Sequence, residues 1–337
     1  MSRILIWSLF LCGLLASCTE KKTATTESKE VNLAIWGNYL SEEMQSQFEK
    51  ETGIKIHISN YSSNEELLAK AQMGSSGIDV AVPSDYMVDI MTKMNLLEPL
   101  QTTLIPNKDG IAERFLRQDF DPENKYSLPY TWTTVGIAIN RDLYKGPLKS
   151  WKDLFNHEEL KGKIALLDDV RETMGAALLL HGFSVNSIQP EEVKKAKETL
   201  LAAKKNIKMF SSDTVDILSN KEVIAAQAYS SDAQQAATKT SGKIEFITPS
   251  EGATIAIDNL VILKGAQNSR AAHKLINFLL SKAADKSKVT VIKSGPILKE
   301  HLSLLPSADA LKKLVRIRDL GKDNRLYEEA WLEIKTK

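Results

Sequence analysis

The chain has 337 residues, with 44 Lys and Arg against 43 Asp and Glu, and only 5 His and 2 Cys. A chain this close to neutrality lacks the basic face that phosphate binding needs, which argues against nucleic acid as a partner. The His residues are scattered without metal-ligand spacing, and no nucleotide-binding or nucleophile motif is present, so we expect no metal, no cofactor and no enzyme. The length suggests two domains.

The first residues have the features of a targeting signal. Arg3 supplies a positive charge, and residues 4–15 form an apolar run too short to span a bilayer. Leu15-Ala16-Ser17-Cys18 then resembles the bacterial lipoprotein box, which implies that Cys18 is lipidated and begins the mature protein. An ordinary secretory signal with a chance Cys is the alternative. The polar residues 19–30 predict a disordered tether.

A strand, a helix and a second strand are predicted at the start of the body. Residues 31–36 form an apolar run that stops at Trp36, and residues 54–58 alternate between apolar and polar as a strand does. Crossover units of this kind place ligands at the carboxyl ends of their strands. Gly37 permits a tight bend there and Tyr39 adds an aromatic ring, so we predict a binding rim. Two surface aromatics beside a turn are the alternative.

Strand and helix patterns alternate through the rest of the body, which favours an α/β fold. Further strands are predicted at residues 78–82, 135–139, 164–167, 223–229 and 254–263. Further helices are predicted after Ser84, at Ser150, after Asp169, at Ser231-Asp232 and at Ala271. No long linker separates two domains, so the chain should cross between them more than once. The strand after Trp132 and the strand that carries Asp258 are the expected crossings.

Four carboxylates stand at strand ends or inside an apolar strand: Asp169, Glu172, Asp232 and Asp258. Asp258 is the most informative, because an unpaired carboxylate in an apolar strand is costly to bury. The other three have an equally good alternative role at helix N-termini. Aromatic side chains stand near the same ends, namely Trp36, Tyr39, Tyr86 and Tyr229. Carboxylates beside aromatic faces suit a ligand with an apolar stem and cationic ends.

Six segments fall in the order found in bacterial spermidine/putrescine-binding periplasmic proteins: Trp36-Gly37-Asn38-Tyr39, Glu51-Thr52-Gly53-Ile54-Lys55, Val82-Pro83-Ser84-Asp85-Tyr86, Leu128-Pro129-Tyr130-Thr131-Trp132, Asp168-Asp169-Val170-Arg171-Glu172 and Leu275-Ile276-Asn277-Phe278-Leu279-Leu280. The chain resembles that family from about Val31 to about Trp331. The resemblance implies an α/β, two-lobed periplasmic solute-binding fold with two crossing strands and a central ligand cleft.

The predicted ligand-binding residues are Trp36, Gly37, Tyr39, Ser84, Tyr86, Asp169, Glu172, Tyr229, Asp232 and Asp258. By resemblance, Asp258 is the carboxylate on the second crossing strand, and Asp232 matches an acidic position of putrescine-preferring members. The chain departs from the family pattern in two places. Ala256 stands where an aromatic is usual, and a Gln near the C-terminus has no clear match around residues 315–319.

We therefore expect a monomeric, lipid-anchored receptor at a bacterial membrane, in the periplasm or at the cell surface. It would bind a polyamine and deliver it to an ABC permease of the inner membrane. Another cationic or small polar solute, favoured by Ala256, or a sensor or interaction lipoprotein with the same fold are the alternatives. The expected division is 1–17 signal peptide, 18–30 lipidated Cys and tether, 31–133 plus 259–295 first lobe, and 134–258 plus 296–337 second lobe.

Overall fold

A computed structural model of the protein describes residues 28–74, 77–304 and 314–336, apart from the side chains of residues 302–304. The predicted signal peptide, Cys18 and most of the tether lie outside the described residues. Within the described part, no helix is both long enough and apolar enough to cross a membrane.

Strands and helices alternate along the described chain, and each predicted element is present. The strands are β1 (Glu30–Trp36), β2 (Lys55–Tyr61), β3 (Val80–Ala81), β4 (Leu97–Glu98), β5 (Ser127–Asn140), β6 (Ile164–Leu166), β7 (Ile207–Phe210), β8 (Ala225–Tyr229), β9 (Ile244–Ile247), β10 (Ala253–Leu263) and β11 (Leu314–Val315). The helices are α1 (Glu42–Thr52), α2 (Asn64–Gln72), α3 (Asp85–Lys93), α4 (Trp151–Asn156), α5 (Val170–Leu180), α6 (Pro190–Ala203), α7 (Thr214–Ser219), α8 (Ser230–Lys239), α9 (Ser269–Leu279), α10 (Lys282–Ser287) and α11 (Asn324–Thr336).

Local sequence signals explain several of these helix ends. Ser41 caps α1 by accepting a hydrogen bond from the backbone N–H of Met44, and Gly53 ends it in the left-handed conformation with φ 67°. Ser150 caps α4 in the same way. The helix predicted at Ser231-Asp232 begins at Ser230 instead, after Tyr229 and without a side-chain cap. Side-chain caps therefore mark the starts of α1, α2, α4, α5 and α10, whereas α3, α6, α7, α8 and α9 begin without one.

One curled sheet joins the strands in the order β2-β1-β3-β10-β5-β8-β6-β7, with β4 and β11 beside β10 and β9 beside β5. Residues 127–134 of β5 pair with β10, whereas residues 135–140 pair with β8 and β9. The buried clusters form two sets, one around Leu33 and the other around Ile164, and one cluster of the first set also includes Val185 from between α5 and α6. The two predicted crossings, β5 and β10, are therefore confirmed, and the fold is the two-lobed one expected.

Lobe 1 contains β1–β4, α1–α3, α9, α10 and the first half of β5, and lobe 2 contains β6–β9, α4–α8 and α11. The predicted lobe bounds stay a prediction, although Ile297 and Leu298, assigned to the second lobe by sequence, pack in the core of lobe 1. A third connection follows β11. Arg316 contacts Gln118 and Asp119 of lobe 1, and the next residues lead into α11 of lobe 2.

Candidate functional site

A cavity of about 140 Å³ lies between the two lobes. Seven of the ten predicted binding residues line it: Trp36, Gly37, Tyr39, Ser84, Tyr229, Asp232 and Asp258. The lobes touch across its opening, where the rings of Trp36 and Tyr229 have centroids 6.4 Å apart and the Ser212 hydroxyl donates to the Ser62 carbonyl at 3.4 Å. The cleft is therefore closed, with aromatic rings from both lobes in its walls.

The end of β1 places Trp36 in the cleft wall. Its indole N–H donates to the carbonyl of Val82 at 2.9 Å, and its ring packs on Tyr61 at 4.7 Å. The prediction that Gly37 provides the bend is wrong in detail. Asn38 has the left-handed φ of 63°, and a Cβ at Gly37 would meet nothing within 4 Å. Asn tolerates this conformation better than most residues, so the turn does not depend on glycine.

Asp258 lies at an irregularity of β10, where the pairing with β5 shifts register between Asp258 and Asn259. One carboxylate oxygen accepts a hydrogen bond from the Ser84 hydroxyl at 2.7 Å, and the other accepts one from the Tyr39 hydroxyl at 2.9 Å. Burial raises the pKa of Asp258 to about 6, against the effect of these two donors. No Lys or Arg of the described residues forms an ion pair with it, so this buried charge lacks a cation.

Asp232, which belongs to lobe 2, is the second carboxylate of the cavity. It lies in the first turn of α8, and one of its oxygens accepts a hydrogen bond from the Thr214 hydroxyl at 2.8 Å. Burial, with a smaller contribution from the negative charge of Asp213, raises its pKa to about 7. Ala256 of β10 lies in the same cavity wall, where its methyl group leaves the space that a ring would fill. The cavity thus has a carboxylate from each side and one small wall residue.

The other three predicted residues, Tyr86, Asp169 and Glu172, do not line this cavity. The Tyr86 hydroxyl donates to Glu65 at 3.0 Å. Asp169 caps α5 by accepting from two backbone N–H groups, each at 3.0 Å, which is its alternative role from sequence. Glu172 accepts from the Thr254 hydroxyl at 2.5 Å.

Asp169 and Glu172 nevertheless influence the cleft, because their negative charges act on Tyr229 in its wall. The pKa of the Tyr229 hydroxyl is raised by burial and by the negative charges of Asp169 and Glu172. Burial and Asp169 also raise the pKa of Glu172 to about 8. We call Glu65, Asp169 and Glu172 the acidic cluster. The charges of Asp169 and Glu172 therefore act on a ring that lines the cavity.

Several contributors to the site were missed from the sequence. Thr214 donates to Asp232, Tyr61 supports Trp36, and Glu65 holds the Tyr86 hydroxyl. Glu65 follows Asn64 in the first turn of α2, where an acidic residue is ordinary for helix electrostatics and carries no sequence signal of function. Among the described residues, no three His, Cys, Asp or Glu side chains are grouped so that they could hold a metal ion.

Comparison with known proteins agrees with this geometry. Residues 43–313 match the model of the bacterial extracellular solute-binding proteins. The chain is 34% identical to spermidine/putrescine-binding periplasmic protein 1 of Haemophilus influenzae, covering 98% of each chain. It is 31% identical to a putrescine/cadaverine-binding protein of Pseudomonas aeruginosa, covering 96% of this chain and 98% of the relative.

Among solved structures, a putative spermidine/putrescine ABC transporter protein from Listeria monocytogenes is similar, with a TM-score of 0.86 and 32% identity. The alignment covers 92% of this chain and 99% of that one. Sequence and fold thus match over nearly the whole length of the relatives. The chain belongs to the bacterial extracellular solute-binding proteins.

Proposed function

We propose that the protein is an extracytoplasmic receptor that binds a polyamine without chemically changing it and delivers it to an ABC importer. The observation that carries this proposal is the pair of buried carboxylates, Asp258 and Asp232, which face one cavity with no Lys or Arg among the described residues that line it. A diamine supplies two ammonium groups joined by an apolar stem. Such a ligand matches both the charges and the aromatic walls of the cavity.

Each part of a diamine finds a partner of suitable chemistry. Ammonium groups form charge-assisted hydrogen bonds with carboxylates, and these are stronger than neutral ones. The rings of Trp36, Tyr39 and Tyr229 offer surface for the methylene stem and cation–π attraction for its ends. Closure of the lobes excludes water and strengthens the charge pairing. The position of Ala256 leaves another cationic or small polar solute as the second candidate.

Calorimetry with putrescine, spermidine, butylamine and 1,4-butanediol tests the proposal. Butylamine keeps the stem but has one ammonium group, and the diol has none. We expect both polyamines to bind at least about tenfold more tightly than butylamine, the factor that corresponds to about 1.4 kcal/mol. Equal affinity for putrescine and butylamine, or binding of neither, would contradict a diamine receptor.

Two carboxylate variants separate the cavity charge from surface charge. Asp232→Asn removes the buried charge beside Thr214 and should weaken putrescine binding. Asp216→Asn is the matched control, since Asp216 also borders the cavity but pairs with Lys239 at 2.9 Å and is largely exposed. An equal loss of affinity in both variants would count against a specific role for Asp232.

Ligand binding should release protons near pH 6. The pKa values of Asp258 and Asp232, about 6 and about 7, mean that both carboxyls are partly protonated at that pH in the empty closed cleft. An ammonium group favours the ionised carboxylate and so lowers these pKa values. Affinity should therefore rise with pH from about 5.5 to about 8 and then level off. Calorimetry in two buffers of different ionisation enthalpy measures the released protons, and proton uptake would contradict the assignment.

We also propose that the protein is a monomer held at a bacterial membrane by lipid on Cys18, and that it docks on the permease of its importer. The basis is the Leu15-Ala16-Ser17-Cys18 sequence directly after the apolar run. Cys18→Ser should release the protein into the soluble fraction or leave the precursor uncleaved. Mass spectrometry of the N-terminal peptide with membrane fractionation checks this, and an unmodified Cys18 in a membrane-bound protein would contradict it.

A further inference from the structure

Glu65 is a carboxylate of lobe 1 that lies against lobe 2. It is in the first turn of α2, and it is half-buried in grooves that Val170 and Glu328 of lobe 2 also line. Its Oε1 accepts the hydrogen bond from the Tyr86 hydroxyl at 3.0 Å. Glu65 is therefore well placed to respond to the distance between the lobes.

The charged and titratable groups that border these grooves come from both lobes. They are Glu66, Tyr86 and Lys93 of lobe 1 and Asp168, Arg171, Asp213, Asp319, Lys322, Arg325, Tyr327, Glu328 and Lys335 of the facing elements. Asp169 and Glu172 line neither groove, but Asp169 directly precedes Val170, which lines both. Several cations are engaged elsewhere: Lys93 pairs with Asp89 and Asp319, and Lys335 pairs with Asp168. No cation in the described ranges forms an ion pair with Glu65.

The positive charge of Arg171 acts on all three members of the acidic cluster, yet the hydrogen bonds of its guanidinium go to neutral acceptors. Its guanidinium donates to the carbonyls of Arg318 and Val185 and to the side chains of Asn324 and Asn186. Among the described residues, one cation thus acts on three carboxylates, and the cluster is net negative when all three are ionised. Burial and the negative charge of Asp169 raise the pKa of Glu65 to about 7.

We propose that Glu65 is a positioning residue whose charge, facing Asp169 across the lobe interface, opposes closure of the empty cleft. Opening separates the two carboxylates, since one belongs to α2 and the other to the cap of α5. An ammonium group beside Tyr229 lies in the field of the same cluster and offsets the repulsion. Closure then depends on a bound cation. The identity of that cation rests on the proposed function, but the behaviour of the empty protein does not.

Small-angle scattering of the ligand-free protein tests this inference. Glu65→Gln removes the charge but keeps an oxygen that accepts from Tyr86. At about pH 8 the empty wild-type protein should be open, and it should become more compact at about pH 5.5 as Glu65 is protonated. The Glu65→Gln variant should be compact at both pH values, with a closed-to-open ratio at least about tenfold above wild type at pH 8, the factor for one pKa unit.

Two control variants make the result specific. Glu66→Gln changes a neighbouring exposed carboxylate that pairs with Lys70 at 2.8 Å, and it should behave like wild type. Tyr86→Phe breaks the hydrogen bond but keeps the charge of Glu65, so its empty form should also open at about pH 8. If Glu65→Gln does not fold, the pH dependence of the wild type and the opening of Tyr86→Phe at about pH 8 still test the inference.

Three outcomes would overturn the inference: empty wild-type dimensions that do not change with pH, a folded Glu65→Gln variant that opens like wild type, or a compact Tyr86→Phe variant. A protein that binds no amine but shows the expected scattering would refute the proposed function alone. Normal amine binding with wild-type scattering in Glu65→Gln would refute only the role of Glu65. The two proposals therefore fail separately.

Discussion

Asp258→Asn should lower the affinity for a diamine by about 10- to 150-fold, from the loss of a charge-assisted contact of about 1.5–3 kcal/mol. The melting temperature of the empty protein should stay the same or rise. Asp258 is 2% exposed and has hydroxyl donors but no cation among its partners in the described chain, so ionising it in the empty cleft is unfavourable. An amide of nearly the same shape removes that penalty.

Calorimetry and thermal unfolding on one purified variant give both quantities. Asp121→Asn is the matched control, because Asp121 is also a buried carboxylate but accepts hydrogen bonds from the backbone N–H groups of Lys125, Tyr126 and Ser127. That variant should lose stability and keep its affinity. Wild-type affinity in Asp258→Asn, or the same behaviour in both variants, would remove Asp258 from the site.

Asp285→Asn should lower the free energy of unfolding by about 3–5 kcal/mol, the effect of breaking a buried ion pair from one side. Lys288 is 1% exposed, its ammonium lies 3.1 Å from Asp285 and over the ring of Tyr130 at 4.4 Å, and it donates to the Tyr130 carbonyl. No other carboxylate in the described ranges pairs with Lys288. Burial lowers the pKa of Lys288, and Asp285 opposes this effect.

Denaturant unfolding measures this loss. Asp109→Asn is the control, since Asp109 forms an exposed pair with Lys108 and should change stability by less than about 1 kcal/mol. Adding Lys288→Met to Asp285→Asn should recover most of the stability, because the unpaired buried charge is then gone. No recovery in the double variant would mean that Asp285 acts mainly through His301 and the backbone of Ile297.

The crossing strands and Asp258 were predictable because each corresponds to a pattern that can be recognised in the sequence. A single carboxylate in the apolar run of β10 breaks the pattern, and the absence of a linker implies strands shared by two lobes. Asp232 and Asp169 were predictable only as acidic residues near helix starts. That signal does not distinguish a cap from a ligand-binding group, and Asp169 serves as a cap in the structure.

Contacts between distant segments could not be predicted. Glu65 becomes significant only when α5 of the other lobe faces it, and the Tyr39–Asp258 hydrogen bond joins residues 219 positions apart. Asp285 and Lys288 are neighbours on one stretch of chain, but their burial depends on Tyr130 from β5. The placement of Tyr86, Asp169 and Glu172 outside the cavity lining likewise follows from how the lobes pack, which no local pattern encodes.

The alternation of β10 gives this receptor a simple route to new ligands. Thr254 contacts Glu172, and Ala256 and Asp258 line the cavity. The residues between them, Ile255 and Ile257, pack in the core. Side chains on one face of a strand advance by about 6.6 Å for every two residues. A substitution at one cavity-facing position of β10, such as residue 256, can therefore change the shape of the cleft without disturbing the core.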